Sequence, residues 1–199
     1  DESPTFEKAS IDEFYIDLTG MDRHFGCYRW SLQLTDKIVK ETGLPISFGL
    51  SVNKLVSKIG AGEGKPQGRV QVERGDEREF LAPLSTSKMP GIGTETYKRL
   101  SFMGVRTIRV LSEIPVKLLE REFGKTGIIL SRHANGIDDT PVQPYSEQKS
   151  ISTETTLPQD TLDLKRLKSL LSSMTDKLAY ELRSSGWLTS CITVKIRYA

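Results

Sequence analysis

Cysteine and histidine are scarce in this chain. Two cysteines, Cys27 and Cys191, and two histidines, His24 and His133, are spread over 199 residues. That excludes a cysteine- or histidine-rich metal cluster and a disulfide framework, and it predicts a reducing, cytoplasmic setting. Both histidines are read as ordinary packing or surface residues. Long apolar runs are missing too. Nothing approaches the roughly 20 apolar residues that cross a bilayer, so no membrane partner is expected, and no secretory leader is recognised. A 37% apolar content and a mean hydropathy of −0.35 suit globular folding.

Strong net charge is also absent, at +2 overall, but the charge is uneven. Residues 1–64 carry −3, residues 65–147 carry +2 and residues 148–199 carry +3. A carboxylate-rich start and a basic finish suit a metal site followed by surfaces for a polyanion.

The chain is organised around residues 9–20, ASIDEFYIDLTG. Phe14, Ile16 and Leu18 alternate with Tyr15, Asp17 and Thr19, which predicts a half-buried strand. Asp12 and Glu13 stand just before it. Neighbours on a regular strand point to opposite faces, but at a hairpin tip both carboxylates can reach one point. Two converging carboxylates suit a hard divalent cation such as Mg²⁺. An isolated Asp-Glu pair is equally turn chemistry, and its weight depends on the rest of the chain.

Beyond the pair, helices and strands alternate. A helix is expected over Arg29–Thr42, capped by Gly43 and stopped by Pro45. A strand is expected over Ile46–Val52, a helix over Lys54–Gly60 with Asn53 as its cap, then a glycine-rich turn through Lys65-Pro66-Gln67-Gly68 and a strand over Val70–Val72. This is the order of an α/β layer. From Pro83 the texture is helical. Pro90-Gly91-Ile92-Gly93 precedes a helix over Glu95–Met103, with Thr94 as the expected N-cap. Such a turn exposes backbone N–H groups at a helix N-terminus, where a phosphate oxygen can sit; a plain helical hairpin is the other reading. Further helices are expected near Val116–Phe123 and Gly127–Asn135. Residues 138–148 read as a linker. Beyond them come a strand over Lys149–Leu157, a long helix over Leu162–Ser185 whose Leu164, Leu167, Leu170 or Leu171, Met174, Leu178 and Leu182 form a core stripe, and a strand over Cys191–Tyr198.

In that order, several segments resemble the Y-family of translesion DNA polymerases, of the DinB and UmuC type. ASIDEFYIDLT (residues 9–19) resembles the family's second catalytic motif, and GLSVNKLVSKIGAGEGKPQG (49–68) its palm motif ending in Lys-Pro-x-Gly. MPGIG (89–93) resembles the thumb hairpin, residues 123–142 the thumb's exit, and KSISTETT (149–156) the first strand of the little finger. The resemblance implies an α+β, multi-domain chain: a partial palm over 1–82, a helical thumb with a helix-hairpin-helix over 83–137, a linker over 138–148, and half of a split β-α-β little finger over 149–199. It implies two-metal nucleotidyl transfer with Mg²⁺, in which Asp12 and Glu13 are two of three catalytic, metal-binding carboxylates. The third, and the fingers segment, are expected outside this chain, so the piece alone is expected to be inactive. Lys65, with Lys58 beside it, is the implied binder of a deoxynucleoside triphosphate. Gly91 and Gly93 are the implied contacts to the primer strand of duplex primer-template DNA, and Lys149, Ser150, Ser152, Lys195 and Arg197 line its backbone. Aromatics are sparse in these segments, which suits a grip on duplex more than on single strands. A sliding clamp is reached only through residues outside this chain.

Two other readings stand beside this one. A non-catalytic helix-hairpin-helix module explains the thumb turn but has no use for the carboxylate pair or the Lys65 turn. A nuclease-like site shares the acidic chemistry, yet no further acidic or histidine cluster accompanies the pair.

Overall fold

The computed structural model describes residues 4–21, 26–144 and 148–197. His24 and Tyr198 lie outside the described residues. Two units are distinguished, Asp1–Tyr145 and Ser146–Ala199.

The first unit opens with an antiparallel hairpin, β1 (Phe6–Lys8) and β2 (Phe14–Ile16), in which Phe6 pairs with Ile16 and Lys8 with Phe14. The N–H groups of Ala9 and Ser10 both donate to the Glu13 carbonyl, which closes the tip around Asp12. Helix α1 (Cys27–Thr42) comes next and ends in left-handed Gly43. Then come β3 (Phe48–Leu50), α2 (Lys54–Glu63) and β4 (Arg69–Gln71), a β-α-β turn whose strands pair in parallel, Gly49 opposite Val70. The Asn53 side chain accepts from Val56 N–H, as a cap should. The expected α/β layer is therefore present as two separate two-stranded ladders among the described residues.

Helices α3 (Glu77–Leu81), α4 (Thr94–Phe102), α5 (Ile108–Glu113), α6 (Val116–Phe123) and α7 (Lys125–Ala134) complete the unit. A short 3₁₀ turn, Thr86–Lys88, leads into the Pro90–Gly93 turn. One apolar cluster runs from Leu55, Val56 and Ile59 on α2 through Leu81 and Met89 to Leu100, Ile108, Leu111, Leu119 and Leu130. The helical segment and the β-α-β turn thus share a core, which fixes their relative placement.

In the second unit, α8 (Leu164–Ser184) forms as expected, and Asp163 caps it by accepting from the N–H groups of Lys165 and Arg166. The two flanking strands do not form. Residues 149–157 and 191–197 are extended but unpaired among the described residues. A strand is completed by its neighbour's hydrogen bonds, and neither segment has one. The core stripe of α8 is only half realised for the same reason. Leu167, Leu170, Met174, Leu178 and Leu182 are half-buried, Leu164 and Leu171 are exposed, and no residue of the helix is fully enclosed.

Candidate active site at the hairpin tip

The hairpin turns the opposite way from its apolar pattern. Phe6, Phe14 and Ile16 share a face that is open, at 59, 54 and 37% exposure. Glu7 and Tyr15, directly opposite one another, face inward. The reason is α2, which presents Lys54 and Lys58 one turn apart. Lys54 Nζ lies 2.7 Å from Glu7 Oε2 and 4.9 Å from the centre of the Tyr15 ring. Lys58 Nζ lies 2.6 Å from both carboxylate oxygens of Glu13. Tyr15 Oη donates to Glu13 Oε1 at 3.2 Å. Polar pairing, not apolar burial, decides which face of the hairpin is covered.

Asp12 sits at the exposed end of the same group. Its Oδ1 accepts the Ser10 hydroxyl at 2.7 Å. That hydroxyl, then the Asp12 backbone N–H, and after them the ammonium groups of Lys65 and Lys58 hold the carboxyl below its ordinary range. Asp12, Glu13, Lys58 and Lys65 thus form one neighbourhood, as the sequence motifs predict. Burial first, and then the Glu13 charge, push the Tyr15 phenol well up, so Tyr15 stays a hydrogen-bond donor to Glu13.

Lys65 occupies an exposed turn after α2. The turn is tight because a Cβ on Gly68 would lie 1.8 Å from the Gly64 carbonyl oxygen, so only glycine closes it. Gly68 N–H donates to Ser47 Oγ and its carbonyl accepts from Phe48 N–H, which pins the turn to the start of β3.

The segment leaving α7 returns to this site. Asn53 Nδ2 donates to the Gly136 carbonyl at 2.8 Å, and Leu55 N–H donates to Asp138 Oδ2 at 3.2 Å. Lys54 Nζ reaches the Pro141 carbonyl, and Gln143 N–H donates to Glu7 Oε2 at 2.8 Å. The Gln143 N–H, then Lys54, hold the Glu7 carboxyl below its ordinary range. Sequence reasoning alone does not single out Glu7, Tyr15 and Lys54. The signal that could find them is the four-residue spacing of Lys54 and Lys58, matched to acidic residues on the facing hairpin.

At the other candidate positions, Gly91 adopts φ +89°, a conformation natural to glycine, and Gly93 caps α4 in extended form. Thr94 is the first helical residue and not the cap, so no side chain occupies the cap position. The N–H groups of Gly91 and Gly93 find no acceptor among the described residues. Lys149, Ser150 and Ser152 are exposed, with Ile151 and Thr153 half-buried between and beside them; Lys195 and Arg197 are exposed on the other extended segment.

As a cation site the tip is partial. Asp12 and Glu13 supply hard oxygen ligands of the kind Mg²⁺ takes, but no group of three acidic, cysteine or histidine side chains able to hold a metal exists among the described residues. Two carboxylates fit a cation that completes its shell with water and phosphate oxygens. Among the described residues, no helix is long and apolar enough to cross a membrane.

Comparison with known proteins agrees along the chain. Residues 1–62 match the impB/mucB/samB family, residues 87–138 match the DNA polymerase-iota thumb domain, and residues 148–199 match the impB/mucB/samB family C-terminal domain. A DNA polymerase IV of Dehalococcoides mccartyi is 36% identical over 200 residues, covering 100% of this chain and 51% of that protein. A DNA polymerase IV of Alkaliphilus oremlandii is 36% identical over 184 residues, covering 91% of this chain and 46% of that protein. The chain therefore spans about half the length of these relatives. DinB from Sulfolobus solfataricus superposes with a TM-score of 0.64 at 27% identity, over 71% of this chain and 42% of that one. An insertion ternary complex of Dbh DNA polymerase gives 0.65 at 27% identity, over 71% and 42%.

Proposed function

The chain belongs to the impB/mucB/samB family, and from that premise we propose that it is the part of a translesion DNA polymerase that carries two catalytic carboxylates, the thumb and the start of the little finger. The observation that carries the proposal is the meeting of Asp12 and Glu13 at a hairpin tip with Lys58 and Lys65. A module that only bound DNA would not need carboxylates there, because they repel phosphate.

Asp12 and Glu13 are the proposed metal ligands. Bound Mg²⁺ would supply charge stabilisation on the attacking and leaving oxygens of an in-line phosphoryl displacement. Ser10 and Tyr15 orient the two carboxylates by donating to them. Lys65, exposed on a pinned turn, meets the triphosphate as a point charge, and Lys58 meets it after leaving Glu13. Gly91 and Gly93 offer backbone N–H groups to primer phosphates without reading sequence. Lys149, Ser150, Ser152, Lys195 and Arg197 follow the duplex backbone in the second unit. The domain division is proposed as palm 1–82, thumb 83–137, linker 138–148 and little finger from 149. The remaining carboxylate, the fingers and any contact to a sliding clamp belong to sequence outside these residues. A cytoplasmic setting is part of the proposal.

The test is templated primer extension by the parent enzyme and by the isolated 199-residue chain, with Mg²⁺ and a full set of deoxynucleotides. Extension by the parent and none by the isolated chain is expected. Absence of extension by the parent, with duplex binding kept, would favour the non-catalytic module.

A further inference from the structure

We infer that Lys58 is a built-in counter-ion that competes with a divalent cation for the Glu13 carboxylate. The inference rests on the metal-ligand reading of Glu13. The Lys58 Nζ lies 2.6 Å from Oε1 and 2.6 Å from Oε2, so one ammonium occupies both oxygens. Tyr15 adds a further donor at 3.2 Å. A carboxylate held by these donors has little lone-pair density left to offer a cation. The ammonium is not locked in place. The Lys58 and Glu13 side chains are 41 and 32% exposed, and lysine's stem is flexible. The neighbouring pair behaves differently. Lys54 and Glu7 are 15 and 20% exposed and are tied to Pro141 and Gln143 as well. One turn of α2 thus carries an anchored lysine and a releasable one.

Glu13 stays aimed at the tip whether or not a cation is bound, because Lys58 holds it there. Cation binding then requires Lys58 to withdraw, which leaves its charge beside any phosphate that accompanies the cation. Such an arrangement disfavours a bare ion and favours one that arrives with polyphosphate.

The experiment titrates Mn²⁺ into the 199-residue chain and follows paramagnetic broadening of the backbone amides of Asp12, Glu13 and Tyr15 by NMR. Lys58 is exposed enough for K58M to keep the fold, and unchanged amide shifts elsewhere in the spectrum check this. In K58M, half-broadening is expected at about tenfold lower Mn²⁺, the scale of one ammonium repelling a divalent ion across a water-like medium. Lys58→Arg keeps the charge and should stay near the wild-type value. Adding salt should move wild type toward K58M, since it loosens an exposed pair. An equal or higher Mn²⁺ requirement in K58M, or no broadening in either protein, overturns the inference. Equal broadening in both that disappears in D12N would overturn it while keeping the carboxylates as a cation site. Primer extension by the parent enzyme tests the polymerase reading separately.

Discussion

In the first unit, Leu100, Ile108, Leu111 and Leu119 are fully enclosed, whereas the 21-residue helix of the second unit encloses none of its residues. Both regions have regular apolar spacing. The difference lies in partners. Helices α4 to α7 are short, yet each finds neighbours nearby in the chain and packs into a shared core. Helix α8 is long enough to form on its own hydrogen bonds, but the segments that flank it have no ladder among the described residues. Periodicity announces a face that wants burial; it does not provide what covers that face.

The comparison extends to function, since the proposed chemistry sits in the first unit and much of the proposed DNA grip in the second. The largest expected effect separates them. Asp12→Ala in the parent enzyme should lower primer extension by roughly 10³-fold, the scale of losing one electrostatic stabiliser of a transition state, with duplex affinity nearly unchanged. Near-normal extension by that variant would remove Asp12 from the chemistry.

Packing offers the next break. Leu111→Ala should cost about 2–5 kcal/mol in denaturant unfolding, as expected for a fully buried leucine. Leu178→Ala on the half-buried stripe of α8 should cost about 1 kcal/mol or less, because fewer neighbours surround the deleted methyl groups. Equal costs would mean that α8 is covered as thoroughly as the first unit's core.

Lys54→Met tests the anchored pair. It leaves Glu7, at 20% exposure, without its cation, and should cost about 1–3 kcal/mol. Lys58→Met, at an exposed pair, should cost less than about 1 kcal/mol. Chemical denaturation of the two variants side by side decides whether α2 holds the hairpin mainly through Lys54.

In the second unit, Lys149→Ala and Lys195→Ala should each flatten the salt dependence of duplex binding, by about 0.9 in the log–log slope for every phosphate no longer neutralised. Unchanged slopes would detach that residue from the DNA surface.

The smallest effect concerns pH. Burial first, with Arg132 adding, depresses the His133 imidazole, against an upward pull from Asp138 that does not offset them. Its folded-state pKa lies below the unfolded value of about 6.5. The folded chain then binds fewer protons than the unfolded one, so stability from this group is present above about pH 6.5 and is lost as pH falls through that value. The unfolding midpoint should drop on acidification from about pH 7.5 to about pH 5.5, and His133→Asn should flatten that drop. A midpoint that rises on acidification contradicts the assignment.

Several features were legible in the residues alone. Asn53 as a helix cap, Gly43 as a stop, the tight Lys65–Gly68 turn and the long α8 are consequences of local chemistry: a side-chain acceptor, a left-handed residue, a missing Cβ, a repeating apolar stripe. The Asp12-Glu13 pair was legible as a candidate for the same reason, since adjacent carboxylates before a strand need no distant contact to be noticed. Thr94 misled because side-chain preference for a cap is weak beside the extended geometry that Gly93 already supplies.

Amino-acid order by itself determined the helices, the turns and the series of motifs, because each depends on neighbours a few residues away. Only the tertiary structure decided which face of the catalytic hairpin turns inward. Alternation favoured Phe14 and Ile16. Lys54 and Lys58, which lie 47 and 45 residues along the chain from Glu7 and Glu13, selected those carboxylates and Tyr15 instead. Ion pairs across that separation have no local signature. The same holds for the unpaired segments of the second unit, where strand-forming residues are present and the ladder that would make them strands is not found among the described residues.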